Sequence, residues 1–112
     1  MYRAPLEDIG FVLNELIGVQ ALEGCAGLPE DLPELAQTVL GEAARFAESV
    51  LAPLNQPGDA EGAHWSASGV TAPAGFKAAY RQFVEDGWPQ LGASPEYGGQ
   101  AVPQLLATAV QE

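Results

Sequence analysis

The sequence predicts an all-α fold, an up-and-down array of about four helices. Two observations support this prediction. Apolar residues return at three- and four-residue steps in four separate segments, and Gly- or Pro-bearing stretches separate these segments. No segment of alternating polar and apolar residues is long enough for a sheet. Since 112 residues is the usual length of one domain with one core, we expect a single helical domain over residues 1–112.

Residues 1–20 are predicted to hold the first helix, as an N-terminal extension. Its apolar side chains share one helix face: Leu6, Ile9, Leu13, Leu16 and Ile17. Pro5 suits the first turn, where its missing N–H costs nothing, and Gly18 suits the C-terminal stop. Phe11 and Val12 widen the apolar surface, so we expect this helix to contact other structure on two sides.

Residues 31–54 give the strongest helical pattern. Asp31 is a predicted N-cap, and Glu34 stands where it would complete a capping box. The apolar positions keep helical spacing for five turns: Leu32, Leu35, Ala36, Val39, Leu40, Ala43, Phe46, Ala47, Val50 and Leu51. Gly41 lies in the middle of this helix. A glycine at such a position often lets another backbone approach closely, and we expect such an approach here. Pro53 is expected to end the helix.

Residues 55–72 are rich in Gly, Ser, Ala and Asp and show no helical or strand period. The sequence therefore predicts a long surface loop, with a short extended piece at Val70 and Thr71. Loops of this length in compact domains are usually functional or mobile.

Residues 73–112 are predicted to form a helix, a Gly-rich turn and the start of a last helix. Phe76 begins the apolar stripe of the first of these helices and Gly87 ends it. Trp88 precedes a proline and is expected to be extended. Pro103 can begin the last helix, which has no stop signal. We expect this helix to expose an apolar patch that favours self-association, formed by Leu105, Leu106, Ala109 and Val110.

The charge of the chain limits its partners. Asp and Glu total 15 against 4 Lys and Arg, for a net charge of −11. This charge repels phosphate backbones and anionic membrane surfaces, so we expect neither nucleic acid nor membrane as a partner. The single Cys25 cannot form an internal disulfide, which indicates a reducing compartment. No secretory signal or membrane-spanning run is visible, and the expected location is cytoplasmic.

The residues do not assemble a recognisable catalytic, cofactor or metal site. His64 and Cys25 are single residues in separate connectors, with no metal-ligand spacing. The tripeptide Gly98-Gly99-Gln100 also occurs in peptide-release factors, but those bind RNA, and a tight turn explains the two glycines. Acyl carrier proteins, also small, acidic and four-helical, carry a phosphopantetheinyl serine within Asp-Ser-Leu, which this chain lacks. We therefore predict that this chain contains no catalytic, cofactor-binding or metal-binding residues.

Three stretches resemble the N-terminal helical domain of acyl-CoA dehydrogenases. Residues 73–103 read PAGFKAAYRQFVEDGWPQLGASPEYGGQAVP, which has the family's helix, Gly step and Pro-Glu-x-x-Gly-Gly-like turn, here Pro-Glu-Tyr-Gly-Gly. Residues 42–55, EAARFAESVLAPLN, are similar to the family's preceding helix. Residues 1–16 look like the extra N-terminal helix of a subgroup that includes methylthiopropanoyl-CoA dehydrogenase. Ala101 departs from the pattern, because the family commonly has glycine there.

This resemblance implies a larger enzyme in which a β-domain and a second helical domain follow. The family binds FAD non-covalently, removes a proton and a hydride from an acyl-CoA thioester, and passes electrons to an electron-transferring flavoprotein. Its catalytic glutamate and most of its flavin contacts lie in the later domains, so no residue of this chain inherits those roles. The resemblance implies that this chain forms one wall of the acyl and flavin pocket. It also implies that the chain has no enzymatic activity alone. The alternative is a free-standing acidic helical module that binds another protein without catalysis.

Overall fold

The computed structural model describes all 112 residues and is mostly helical, which confirms the predicted all-α class. The α-helices are α1 (Leu6–Phe11), α2 (Leu32–Phe46), α3 (Ala52–Glu61), α4 (Phe76–Glu85) and α5 (Gln104–Gln111). Wide π-type turns cover Val12–Ile17 and Ala47–Leu51, and 3-10 turns cover Val19–Leu22, Trp88–Gln90 and Pro95–Tyr97. One small hairpin joins β1 (His64–Ser66) to β2 (Gly69–Thr71).

The N-terminal helix has the predicted bounds, but its predicted apolar face is divided, because Leu13 is buried whereas Leu16 is 69% exposed. α1 continues into the wide turn, and the chain leaves helical geometry at Gly18, whose φ of 70° is left-handed. Glycine adopts this conformation without the steric cost that a Cβ imposes. The helix therefore ends at the predicted stop.

The predicted capping box at the start of α2 is wrong. The side chain of Asp31 accepts no hydrogen bond, and its φ and ψ of −100° and 27° lie outside the extended region that N-cap residues usually adopt. Asp31 contributes its backbone carbonyl instead, which accepts from the N–H of Leu35 at 2.9 Å. Because the Asp31 side chain makes no cap hydrogen bond, the reciprocal pair of a capping box does not form.

The helix end at Pro53 and the loop over residues 55–72 are also wrong. Pro53 lies in the first turn of α3, where a proline removes no intrahelical hydrogen bond, because the wide turn before it interrupts the regular α-helical pattern. α3 then runs to Glu61, and the antiparallel hairpin follows, with Trp65 opposite Val70. Three residues per strand are too few to show a period of two. The short extended piece at Val70 and Thr71 is confirmed within β2.

The segment after α4 differs from the prediction at one residue. α4 ends as expected at Gly87, which has a φ of 81°. Trp88, however, begins a 3-10 turn rather than an extended segment, and the N–H of Gln90 bonds to the carbonyl of Gly87 at 3.1 Å. The bias against helical backbone before a proline is a preference that this tight turn overrides.

The core lies where α1, α2 and α5 meet. Its six buried members are Leu13, Ala36, Leu40, Leu91, Val102 and Leu106. The predicted exposed patch on α5 is wrong, because Leu106 is only 1% exposed and its three neighbours are partly buried against this core. The close backbone approach expected at Gly41 is also absent, since a Cβ built there would meet no atom within 4 Å.

The molecule is an open slab. Its extents are 56 × 36 × 16 Å, and the short dimension is less than two helix diameters of about 10–12 Å. The radius of gyration is 17.1 Å, against about 13 Å for a compact domain of this length. The accessible surface is 8014 Å², whereas a compact protein of this mass exposes about 5,900 Å². No helix is long and apolar enough to cross a membrane.

Candidate functional site

An apolar groove between α3 and α4 is the most prominent surface feature. Two glycine contacts set the spacing of these helices. A Cβ on Gly58 would lie 2.5 Å from the ring of Phe76, and a Cβ on Gly75 would lie 2.7 Å from Leu54. Both distances are far below normal van der Waals contact, so glycine at each position lets a large apolar side chain approach the opposite backbone.

The α3–α4 groove has a volume of about 810 Å³, within the usual range for binding sites of about 300–1,000 Å³. It is open to solvent. Ten of its twelve lining residues are hydrophobic. The lining residues are Met1, Tyr2, Ala47, Leu51, Ala52, Leu54, Asn55, Gln56, Phe76, Ala79, Tyr80 and Phe83. Such a surface binds apolar groups rather than reacting with them.

Aromatic contacts attach α4 to the long helix. The rings of Phe46 and Phe83 have centroids 6.0 Å apart, and those of Phe46 and Trp88 are 6.3 Å apart. Tyr80 extends the cluster, 6.4 Å from Phe83. These tilted arrangements at 4.5–7 Å are the favourable ones for aromatic pairs. The indole N–H of Trp88 is buried without an acceptor. Packing of this ring in the cluster therefore leaves one hydrogen-bond donor without a partner.

The Pro-Glu-Tyr-Gly-Gly segment is a turn held by backbone bonds. Ser94 caps it by accepting the N–H of Glu96 through its side chain at 3.3 Å. Gly98 is left-handed, with a φ of 81°. A Cβ on Gly99 would lie 2.0 Å from the carbonyl oxygen of Ala93, so only glycine fits. This geometry is the tight turn expected from the two glycines.

The same turn brings the chain back to the core. The N–H of Ala101 donates to the carbonyl of Ala93 at 2.9 Å, and that of Val102 donates to Leu91 at 2.9 Å. Val102 is thereby buried among the core residues. Ala101 is the one non-glycine residue with positive φ, at 52°. Ala101, where acyl-CoA dehydrogenases commonly have glycine, therefore has left-handed backbone in this chain.

The titratable residues weighed from the sequence do not come together as a site. Cys25 is exposed in a turn and His64 is exposed at the start of β1. No group of three or more His, Cys, Asp or Glu side chains could hold a metal ion, and no polar or charged side chain is buried. The chain's one ion pair joins Arg45 to Glu42 at 3.1 Å.

The residues present do not fit FAD. A dinucleotide needs donors and positive charge around its pyrophosphate. The two larger apolar grooves, α3–α4 and α1–α5, have no basic lining residue. Arg45 is the one basic residue among the five principal grooves, and Glu42 already pairs with it.

Comparison with known proteins identifies relatives along nearly the whole chain, although no family model matches it. It is 36% identical over 111 residues to a 3-methylmercaptopropionyl-CoA dehydrogenase of Ruegeria pomeroyi. It is 27% identical over 113 residues to a broad-specificity linear acyl-CoA dehydrogenase of Mycobacterium tuberculosis. Each match covers 99% of this chain but only 19% and 18% of the relatives. The chain thus spans about a fifth of their length, and over that segment it is similar to acyl-CoA dehydrogenases.

Proposed function

We propose that this chain is the N-terminal helical domain of an FAD-dependent acyl-CoA dehydrogenase. In that enzyme an acyl-CoA thioester would lose a proton and a hydride from its α and β carbons. The observation that carries the proposal is the match of 99% of the chain to two dehydrogenases that are about five times longer. One relative is named for 3-methylmercaptopropionyl-CoA and the other for linear acyl groups, so the proposed substrate is an acyl-CoA thioester.

The open shape supports a role as part of a larger protein. The slab exposes 8014 Å², about 2,100 Å² more than a compact protein of its mass. Stable domains usually bury their apolar faces between two layers of secondary structure. We propose that another part of the parent enzyme supplies a further layer of secondary structure, which covers the exposed apolar surface of this slab.

The proposed role of the domain is to wall one side of the acyl and flavin pocket and to exclude water. Excluding water strengthens electrostatic interactions at the reacting carbons, which stabilises charge that develops during proton removal. The core consists of apolar side chains, with no buried charged or polar member. The domain can therefore shape a cavity without supplying a buried acid or base. We propose that the chain alone neither retains flavin nor turns over substrate.

A domain exchange tests the proposal. The segment of the Ruegeria pomeroyi relative that matches this chain would be replaced by this chain, with a deletion of the same segment as control. We expect the chimera to bind flavin and to reduce an electron-acceptor dye with an acyl-CoA, and the deletion to do neither. A chimera that binds flavin but is no more active than the deletion would contradict the proposal.

A second experiment tests whether the chain is inactive alone. The purified chain is mixed with FAD and acyl-CoA, passed through a desalting column and scanned for flavin absorbance. We expect no retained flavin and no dye reduction. Flavin retained at one molecule per chain would show that this segment holds the cofactor itself and would overturn the proposed division of roles.

A further inference from the structure

The hairpin and the two helices around it form an arm of the slab. This arm, residues 52–86, comprises α3, the β1–β2 hairpin and α4. Its own contacts hold it together, because Gly58 and Gly75 let large apolar side chains pack between α3 and the start of α4. The N–H of Ala74 also donates to Oε2 of Glu61 at 3.0 Å. The arm is therefore one structural unit.

Polar contacts do not tie this arm to the rest of the chain. Apart from backbone bonds at its two ends, no hydrogen bond and no ion pair joins residues 52–86 to other residues. The backbone of α2 packs closely on α1 and α5, whereas neither α3 nor α4 packs closely on any of these three helices. The arm contributes no member to the core. Its buried residues are only Gly58, Pro73 and Ala79.

One aromatic contact holds the base of the arm. The ring of Phe83 lies 6.0 Å from that of Phe46 at the end of α2, and Phe46 also contacts Trp88 just beyond the arm. Attraction between apolar groups is non-directional. These rings can therefore shift against one another without breaking a hydrogen bond.

Both connections of the arm are irregular backbone. At the first, the wide turn Ala47–Leu51 precedes Pro53, which has no N–H to donate back to that turn. Such π-type turns interrupt the α-helical ladder and are common sites of helix bending. At the second, Gly87 has left-handed backbone between α4 and the next 3-10 turn. A few residues of this kind at the ends of elements are typical hinges.

The α3–α4 groove lies across the first of these connections. Eight of its twelve lining residues belong to the arm, and the other four lie outside it: Met1, Tyr2, Ala47 and Leu51. The N-terminal segment is bound to the wide turn, because the N–H of Ala4 donates to Oε1 of Glu48 at 2.9 Å. A rotation of the arm therefore moves one part of the groove lining against the other and changes the width of the groove.

We propose that the arm rotates as a rigid unit about the Ala47–Leu51 turn and Gly87, and that this rotation opens and closes the α3–α4 groove. The contact between Phe46 and Phe83 holds the arm in the arrangement that the structure shows. Without that contact, only the two connections limit the position of the arm.

Distances between pairs of spin labels, measured by pulsed electron paramagnetic resonance, test the rotation. All labels replace exposed residues in a Cys25→Ser chain, because Cys25 is the only native thiol. The arm–core pair is Ser68→Cys in the hairpin with Thr108→Cys on α5. Two control pairs lie within one unit: Ser68→Cys with Glu85→Cys in the arm, and Gln37→Cys with Thr108→Cys on α2 and α5. We expect the arm–core distance distribution to be about twice as broad as either control, because it alone includes the hinge motion.

A substitution at the base of the arm tests the role of the aromatic contact. Phe83→Ala should broaden the arm–core distribution further and leave both control pairs unchanged. Val84→Ala is the matched control and should broaden none of them, because Val84 is 43% exposed on the same helix and belongs to neither the aromatic cluster nor the core. Circular dichroism verifies that each variant remains folded.

Two results would overturn the proposal. An arm–core distribution as narrow as both controls would show that the arm is fixed to the core. A within-arm distribution as broad as the arm–core distribution would show that the arm does not move as one rigid unit.

Discussion

Gly99→Ala is the substitution for which the structure predicts the largest effect of a single methyl group. The new Cβ would lie 2.0 Å from the carbonyl oxygen of Ala93 and 2.3 Å from its carbon. Both atoms belong to the backbone, so no side-chain rotation relieves the overlap. The turn must shift by more than 1 Å to reach ordinary contact, because real Cβ atoms approach heavy atoms no closer than 3.0–3.4 Å.

The cost follows from the bonds that this shift breaks. Gly99 donates to Ser94 at 3.0 Å, and Ala101 donates to the same crowded carbonyl of Ala93 at 2.9 Å. Two lost hydrogen bonds cost about 2 kcal/mol, and the displacement of Val102 from the core adds about 1 kcal/mol. We expect Gly99→Ala to lower the free energy of unfolding by about 3 kcal/mol.

The neighbouring glycine provides the control. Gly98 also has left-handed backbone, at a φ of 81°, but a Cβ there would meet no atom within 4 Å. Gly98→Ala therefore introduces only backbone strain, at about 1 kcal/mol.

Urea unfolding followed by circular dichroism compares the two variants. With a slope of about 1.5 kcal/mol per molar urea, the midpoint should fall by about 2 M for Gly99→Ala and by less than about 1 M for Gly98→Ala. Equal losses, or a larger loss for Gly98→Ala, would show that the crowding at Ala93 does not determine the stability of the turn.

Three further substitutions test other parts of the fold by the same unfolding assay. Gly41→Ala should raise the free energy of unfolding by about 0.5–1 kcal/mol, because the site is helical and open; a loss would indicate an unseen backbone contact. Ala101→Gly should raise it by up to about 1 kcal/mol, since the left-handed φ of 52° costs alanine more than glycine. Leu106→Ala should lower it by about 3 kcal/mol, whereas Leu105→Ala, at a half-buried position of the same helix, should lower it by clearly less; equal losses would contradict the placement of the core.

The sequence predicts the helices well where local signals agree. Leu13 and Leu40 keep helical spacing and are buried, and the helix stops at Gly18 and Gly87 both have left-handed backbone. Each of these predictions depends on residues within one or two turns. Local spacing and local steric freedom are sufficient to fix them.

The prediction fails where distant or cooperative geometry decides. Pro53 is a helix breaker by its own chemistry, but a wide turn before it makes its missing N–H harmless. The apolar stripe of α5 is correctly identified, yet whether Leu106 is exposed depends on α1 and α2 far away in the chain. The α3–α4 groove is not visible in the sequence either. Two glycines are the only sequence signal for close helix packing there, Gly58 opposite Phe76 and Gly75 opposite Leu54.

The turn that carries the family resemblance has a structural role in this chain. Its glycines satisfy two different demands, left-handed backbone at Gly98 and space for a carbonyl at Gly99. Neither demand involves a reacting group, and no polar or charged side chain is buried nearby. The turn instead returns the chain from the aromatic cluster beside α4 to the core beside α5, through the bond from Val102 to Leu91. The motif therefore fixes how the part of the slab beside α4 meets the part beside α5.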